Sequence, residues 1–293
     1  MIECVPNVSE GRDPAIIERI AESITSCRLL DVHSDPDHHR SVFTMIGDEE
    51  QVADGAVALV ASAIALIDLR EHRGVHPRMG AVDVIPFVPL ECATMSSCVE
   101  VARRVGRMIA DQWRLPVYLY GAAAQCPLRL TLPRIRRGGF ERLTDKLGEH
   151  TPDFGPSHPH PTAGAIAVGA RHPLVAFNVV LNTSDVSVAR RIAAIVRQAN
   201  GGLPGVMALG LSLDTRHLTQ VSMNLTDVSA TTVPDAFEAV GREAARVGVP
   251  VLESEIVGLV PRLALGGATA EDLLMQDDPR ARILEDRIAE PTT

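Results

Sequence analysis

HRGVHPRMGAVDVIPFVP, residues 72–89, decides how the rest of the chain is read. Its first nine residues hold two His, two Arg and two Gly, and an apolar run over 81–90 follows at once, broken only by Asp83 and two prolines. A short apolar run next to turn residues reads as a buried strand, so the polar nine residues form a loop feeding a sheet. Loops held by a rigid element are where chemistry is usually placed. Pro77 fixes its own φ and biases His76 toward an extended backbone, while Gly74 and Gly80 permit conformations other residues resist. Two readings of His76 stand side by side. One is a structural His bonded to a loop carbonyl. The other is a general acid/base, for which an unperturbed pKa of about 6.5 is suited, with Arg78 two residues away to hold a carboxylate.

Outward from this loop the pattern alternates between strands and helices. Residues 2–5 read as a strand. Asp13-Pro14 is a helix start, with a capping acceptor and then a Pro whose missing N–H costs nothing. Ile16, Ile17, Ile20 and Ile24 fall on one face. Residues 29–32 and 41–46 read as strands around a turn at 34–38, and Asp48 caps a second helix. With the strand after the His76 loop the order is βαββαβ. A third helix over 94–111 and a strand over 116–120 follow, and residues 125–156 read as a basic, weakly patterned connection.

The second half repeats the order. Strands at 174–181, 206–213, 218–225 and 249–257 enclose helices that begin at Thr183 or Ser184 and at Pro234. In 218–225, Thr219, Val221, Met223 and Leu225 share one face, and Gln220, Ser222 and Asn224 share the other. That neutral polar row suits either a ligand or water. The expected fold is α+β: two ferredoxin-like (βαββαβ) subdomains packed with a cleft between them. The boundaries are 1–165 and 166–265, with an acidic tail over 266–293.

Composition narrows the classes. The chain has 293 residues, 46% hydrophobic, with a net charge of −9. Without a basic block, nucleic acid and anionic membrane are not expected partners. Cys4, Cys27, Cys92, Cys98 and Cys126 are dispersed and odd in number, which fits reduced thiols in a cytoplasmic protein rather than a disulfide frame. No secretion signal is evident at the N-terminus, and no apolar run approaches the ~20 residues of a membrane helix.

Two further clusters carry chemistry-bearing residues. HSDPDHH, residues 33–39, could be an Asp-rich hairpin turn, a group orienting His76 or binding substrate, or a metal site, although its spacing matches no trusted metal motif. GPSHPHPTAG, residues 155–164, is a stiff loop with two His, and it is not a phosphate loop, since GK[ST] and a following helix are missing. Arg40, Arg78 and Arg171, with His33, are candidates for holding substrate carboxylates, because the planar guanidinium bonds a carboxylate at two points.

Taken together, VHPRMGAVDVIPFVP (75–89), ECVPNVSEGRD (3–13), LLDVHSDPDHHRSVFTMIG (29–47), PVYLYGAAA (116–124), PDFGPSHPHPTAGAIAVGAR (152–171) and VLESEIVGLVP (251–261) resemble the formiminotransferase family over about residues 1–265. The resemblance implies transfer of the formimino group from N-formiminoglutamate to nitrogen-5 of tetrahydrofolate, with glutamate released, in histidine degradation and one-carbon metabolism. It implies His76 as the acid/base and folate contacts on Gly155, Pro156, Ser157, His158, Pro159, His160, Pro161, Thr162, Ala163 and Gly164. It also implies folate bound between two subdomains, tetrahydrofolate as co-substrate, and no metal. Two positions depart from the family pattern: Val75 stands where a Glu is expected, and the 160–163 segment lacks aromatic residues. Bifunctional members continue into a helical cyclodeaminase domain, for which this chain has no room, so transferase activity alone is expected. A formylglutamate-dependent formyltransferase, a non-catalytic folate- or amino-acid-binding module, and a metallohydrolase built on HSDPDHH are the alternatives. A homodimer is left open.

Overall fold

The first two strands, β1 (Ile2–Cys4) and β2 (Asn7–Val8), occupy one place in a sheet and are interrupted at Val5 and Pro6. Pro has no N–H to give to a ladder, so a central strand breaks there. The break is bridged, because Val5 N donates to Pro86 O at 3.1 Å and Phe43 N to Pro6 O at 3.0 Å. This computed structural model describes residues 1–75, 77–149 and 151–291, and of residues 146, 148 and 149 the backbone alone. His76 lies outside the described residues. The chain divides into two units, Met1–His172 and Pro173–Thr293.

In the first unit α1 (Pro14–Glu22) starts as expected. The Asp13 side chain accepts from the N–H groups of Ala15 and Ile16, with Pro at the first turn. The hairpin β3 (Arg28–Asp35) and β4 (Arg40–Gly47) follows. Then comes α2 (Glu49–Leu66), whose Asp48 and Gln51 form a reciprocal capping box. The remaining elements are β5 (Val82–Pro89), α3 (Met95–Trp113), β6 (Val117–Gly121), α4 (Leu132–Arg136), α5 (Leu143–Glu149) and β7 (Ile166–Ala170). All seven strands form one sheet. β3 flanks β4; β4 pairs with β1 and β2, and these pair in turn with β5, all antiparallel. Beyond β5 the sheet continues in parallel through β7 to β6.

This extension corrects the expected first half, a four-stranded βαββαβ unit followed by a separate strand over 116–120. β7 was not foreseen, and it enters between β5 and β6. Its sequence, IAVGA, is a short buried run, which periodicity cannot assign on its own. Because β7 belongs to the first sheet, the first unit runs to His172, beyond the 165 boundary expected from the sequence. The basic connection also holds two short helices. Helices therefore pack on both faces. α1, α2 and α3 share a core with Ile2, Phe43, Met45, Phe87, Val117 and Val168. Ile135 of α4 and Leu143 and Leu147 of α5 pack on Val84, Tyr118, Tyr120 and Ala167. Full burial of one such large apolar side chain stabilises by about 1.5–3 kcal/mol.

The second unit runs β8 (Val175–Leu181), α6 (Val186–Val196), β9 (Val206–Leu213), β10 (Leu218–Leu225), α7 (Val233–Arg246) and β11 (Val251–Val257). Its sheet is antiparallel in the order β11-β8-β10-β9. α6 is capped by Asp185, whose carboxylate accepts from Ser187 N at 2.9 Å. Thr183, one of the two expected caps, accepts from Asp185 N instead. Val221, Met223 and Leu225 point into the core with Phe177, Ile192 and Val240. On the opposite face Gln220 is buried, Ser222 half-buried and Asn224 exposed. After β11 come the short helix α8 (Arg262–Leu265) and, in the tail, α9 (Ala270–Leu273) and α10 (Leu284–Ala289), with Leu265, Leu273 and Ile283 packed on this core. The whole is a mixed α/β protein with two sheets, in the α+β class.

Candidate active site

The two loops singled out in the sequence are stitched together by main-chain bonds. Leu69 N donates to Thr162 O at 2.9 Å, Ala81 N to Ala163 O at 3.0 Å, and Ala165 N to Met79 O at 3.0 Å. Both ends of the 69–81 loop are thus pinned to residues 162–165. The reason is topological: β5 and β7 are parallel neighbours, so the loops that precede them meet at one end of the sheet. Close approach demands glycine. A Cβ on Gly80 would lie 2.1 Å from Ala165 O, and one on Gly164, at φ +70°, would lie 2.1 Å from Met79 O. Gly74 admits the carbonyl of His38 in the same way. Neither Gly74 nor Gly80 has a positive φ, so their value is close approach rather than the unusual torsions expected of them.

The 155–164 loop is held at both ends. On one side Asp153 accepts from Leu119 N at 2.7 Å and pairs with Arg129, whose guanidinium lies 5.1 Å from the Tyr118 ring centre. On the other, His160 and Gly164 exchange main-chain bonds of 2.8 and 3.0 Å. The His160 ring caps this turn, with Nδ1 accepting from Ala163 N at 3.0 Å. Burial lowers its pKa, which keeps that nitrogen available as an acceptor. Between the anchors, Ser157 and His158 are exposed. A ligand loop needs this combination: fixed ends and a projecting middle.

Arg78 is 8% exposed and His72 4%. The Arg78 Nε donates to His72 Nδ1 at 2.8 Å, and one terminal nitrogen donates to His72 O at 3.1 Å. The same guanidinium grips Glu141 at 2.8 and 3.1 Å. A substrate carboxylate would have to displace Glu141 to reach it, so the fork expected for substrate is already engaged. His72 Nε2 lies 2.8 Å from His39 O. Burial, followed by the neighbouring His39 and Arg78, depresses the His72 pKa to about 4. Its ring is neutral at physiological pH.

The HSDPDHH segment folds as a hairpin tip. Asp35 accepts from the N–H groups of Asp37 and His38 and pairs with the buried His38 at 2.7 Å. Burial works to raise the Asp35 carboxyl, but these His38 and backbone contacts outweigh it and hold it at about 2. His39 has φ +50° and its ring lies tilted against that of His72, with ring centres 4.1 Å apart. It also meets Glu10 at 3.3 Å. One Glu10 oxygen accepts the N–H groups of Gly11, Arg12 and Asp13 at 2.7–3.0 Å. Burial opposes ionisation of Glu10, yet His39 and those N–H groups bring it down to about 2. Among the described residues no group of three or more His, Cys, Asp or Glu is arranged to hold a metal ion.

Four groups at this end of the sheet escaped sequence reasoning: Glu10, His72, Asp83 and Glu141. Asp83, 1% exposed, accepts from Met79 N at 2.8 Å and pairs with Arg136 at 2.5 Å. Its signal was visible, as the one charge in an apolar strand. Of the other candidates, His33 sits half-buried in β3 opposite Val42, and Arg40 opens β4 opposite Asp35. Arg171 lies at the far end of β7, donating from its main chain to Phe87 O. Seven residue steps, most of them strand at about 3.3 Å each, separate it from Gly164, so it does not join this cluster.

Residues 1–171 match the formiminotransferase domain, N-terminal subdomain, and residues 176–288 match the formiminotransferase domain. The chain belongs to the formiminotransferase family. It is 42% identical to a glutamate formimidoyltransferase of Streptococcus pyogenes serotype M1, over 98% of each chain. It is 44% identical to that of Thermoplasma acidophilum, over 97% of this chain and 96% of the relative. A formimidoyltransferase-cyclodeaminase of Rattus norvegicus is 42% identical over 98% of this chain and 56% of its own length. This formiminotransferase is therefore a group-transfer enzyme. No helix among the described residues is long and apolar enough to cross a membrane.

Proposed function

We propose that this formiminotransferase moves the formimino group of N-formiminoglutamate to nitrogen-5 of tetrahydrofolate and releases glutamate, in the cytoplasm, as a step of histidine degradation. The observation that supports the reading is the bonding of Leu69, Met79 and Ala81 to residues 162–165, since these flank the sequence around His76 and the family resemblance gives 155–164 to folate. The folate nitrogen attacks the amidine carbon and a tetrahedral intermediate forms. A proton then passes from that nitrogen to the glutamate nitrogen, and the bond from carbon to the glutamate nitrogen breaks. His76 takes the proton and returns it. Residues 155–164 contact folate, and His33 and Arg40 remain candidates for substrate carboxylates. Tetrahydrofolate is a co-substrate, and the chemistry calls for no metal. Both units follow the ferredoxin-like plan, with the first extended by β6 and β7.

Purified protein incubated with tetrahydrofolate and each donor in turn, with the folate spectrum followed, tests this. Turnover with formiminoglutamate is expected. Turnover with formylglutamate alone would replace the donor, and turnover with neither would end the reading. His76→Ala is expected to lower kcat by about 10²–10⁴ while folate binding is kept; unchanged kcat would remove His76 from the mechanism. Ser157→Trp, on the exposed part of the loop, is expected to weaken folate binding, as equilibrium dialysis would show.

A further inference from the structure

We infer that Arg78 and His72, anchored by Glu141, form a clasp that positions the loop carrying His76. Two bonds close a short ring of chain: Arg78 Nε to His72 Nδ1 at 2.8 Å and an Arg78 terminal nitrogen to His72 O at 3.1 Å. In sequence, residues 73–77 lie between the two bonded residues. An arc tied across its base has far fewer conformations than an open loop of equal length. The clasp is fixed from three sides. Glu141 takes the outer edge of the guanidinium at two points, 2.8 and 3.1 Å. Phe140 N donates to Arg78 O at 3.0 Å, so main chain and side chain of Arg78 are bound to the same short segment. His72 Nε2 reaches His39 O at 2.8 Å, which ties the other end of the arc to the hairpin tip.

The partners dictate the protonation state. An Arg Nε–H only donates, so His72 Nδ1 must be bare; a carbonyl only accepts, so Nε2 must carry the proton. One neutral tautomer satisfies both. Arg is required because its Nε and two terminal nitrogens serve three directions at once in a single plane. The point charge of Lys cannot do so. His72 and Arg78 act through the loop and are positioning residues.

This inference rests on His76 being the acid/base, so the test separates the two. Arg78→Lys, Glu141→Gln, His72→Ala, His72→Asn and His76→Ala are made in the intact chain. Each is assayed for kcat, KM for both substrates, tetrahydrofolate affinity without donor, and melting midpoint. Arg78→Lys is expected to lower kcat by about 10²-fold, the scale of an ångström of misplacement, with folate affinity near wild type. Glu141→Gln, at an exposed partner, is expected to fold normally and lose about tenfold in kcat. His72→Asn, which keeps an acceptor for Arg78, is expected to regain at least about tenfold of what His72→Ala loses. Wild-type kcat in Glu141→Gln, or an Asn variant no better than Ala, would overturn the clasp. So would kcat losses that merely follow the fraction unfolded. If Arg78→Lys does not fold, Glu141→Gln and the His72 pair carry the decision. An active His76→Ala would sink the acid/base reading itself, whereas an inactive one beside fully active clasp variants would sink only the clasp.

Discussion

The two units bury different kinds of polar group. Among the described residues, the first unit buries Glu3, Glu10, His38, His72, Arg78 and Asp83, whereas the fully buried polar residues of the second are Asn178, Thr219, Gln220, Thr231 and Ser254, all neutral. A buried charge is costly unless it is paired and bonded. The first unit meets that cost with Glu10 and His39, Asp35 and His38, Arg78 and Glu141, and Asp83 and Arg136. The lesson is that titratable chemistry is concentrated on one sheet, where its partners and the two stitched loops already converge. The second unit offers bonds between neutral groups, such as Thr231 Oγ1 donating to Pro204 O at 2.7 Å.

The contrast can be broken by substitution. Asp83→Ala removes the partner of the part-buried Arg136 and of Met79 N, and is expected to cost about 3–5 kcal/mol in denaturant unfolding. Thr231→Val in the second unit, which removes a neutral bond to Pro204 O, is expected to cost only about 1 kcal/mol. Equal losses would mean that charge burial does not distinguish the units. Gly164→Ala is next. Its left-handed backbone alone adds about 1–3 kcal/mol of strain, and the new Cβ meets Met79 O, so the loops part and folate affinity falls with stability. Retained affinity would show that the stitching is dispensable for binding.

Acid sharpens the comparison. His72 titrates near 6.5 in the unfolded chain and at about 4 in the folded one. Between those values the unfolded state binds more protons, so the contribution of His72 is complete above pH 6.5 and is lost as pH falls toward 4. Glu10 and Asp35 lose theirs at lower pH, between their ordinary values near 4 and about 2. Trp113, the one tryptophan, is the last residue of α3 and packs on the first unit's core, so its fluorescence follows that unit. His72→Asn is expected to flatten the pH dependence of stability between 6.5 and 4 by this probe. An unaltered slope would contradict the neutral, clasped ring. The smallest effect has the opposite sign. Gly241 lies inside α7, where an added Cβ meets nothing within 4 Å. Gly241→Ala is expected to stabilise by about 0.5–1 kcal/mol, read as a raised denaturation midpoint.

Most of the second unit was legible because β10 alternates, its other strands are short apolar-rich runs and its helices carry one apolar stripe. Much of the first unit was legible for the same reason, down to the Asp13 and Asp48 caps. β7 was not, since a five-residue buried run has no period to read. Nor was the use made of Arg78. A free guanidinium and an engaged one are the same letter in a sequence, and Glu141 lies 63 residues away.

What the sequence by itself determined is the family, the α+β class, the paired helix and strand order, and the two loops worth watching. Each of these depends on local pattern or on strings of neighbouring residues. What only the tertiary structure decided is which loops touch, where the first unit ends, and which of the marked charges are already paired. Those depend on parallel strand pairing between segments about 80 residues apart, and strand order sets partners that no local period encodes.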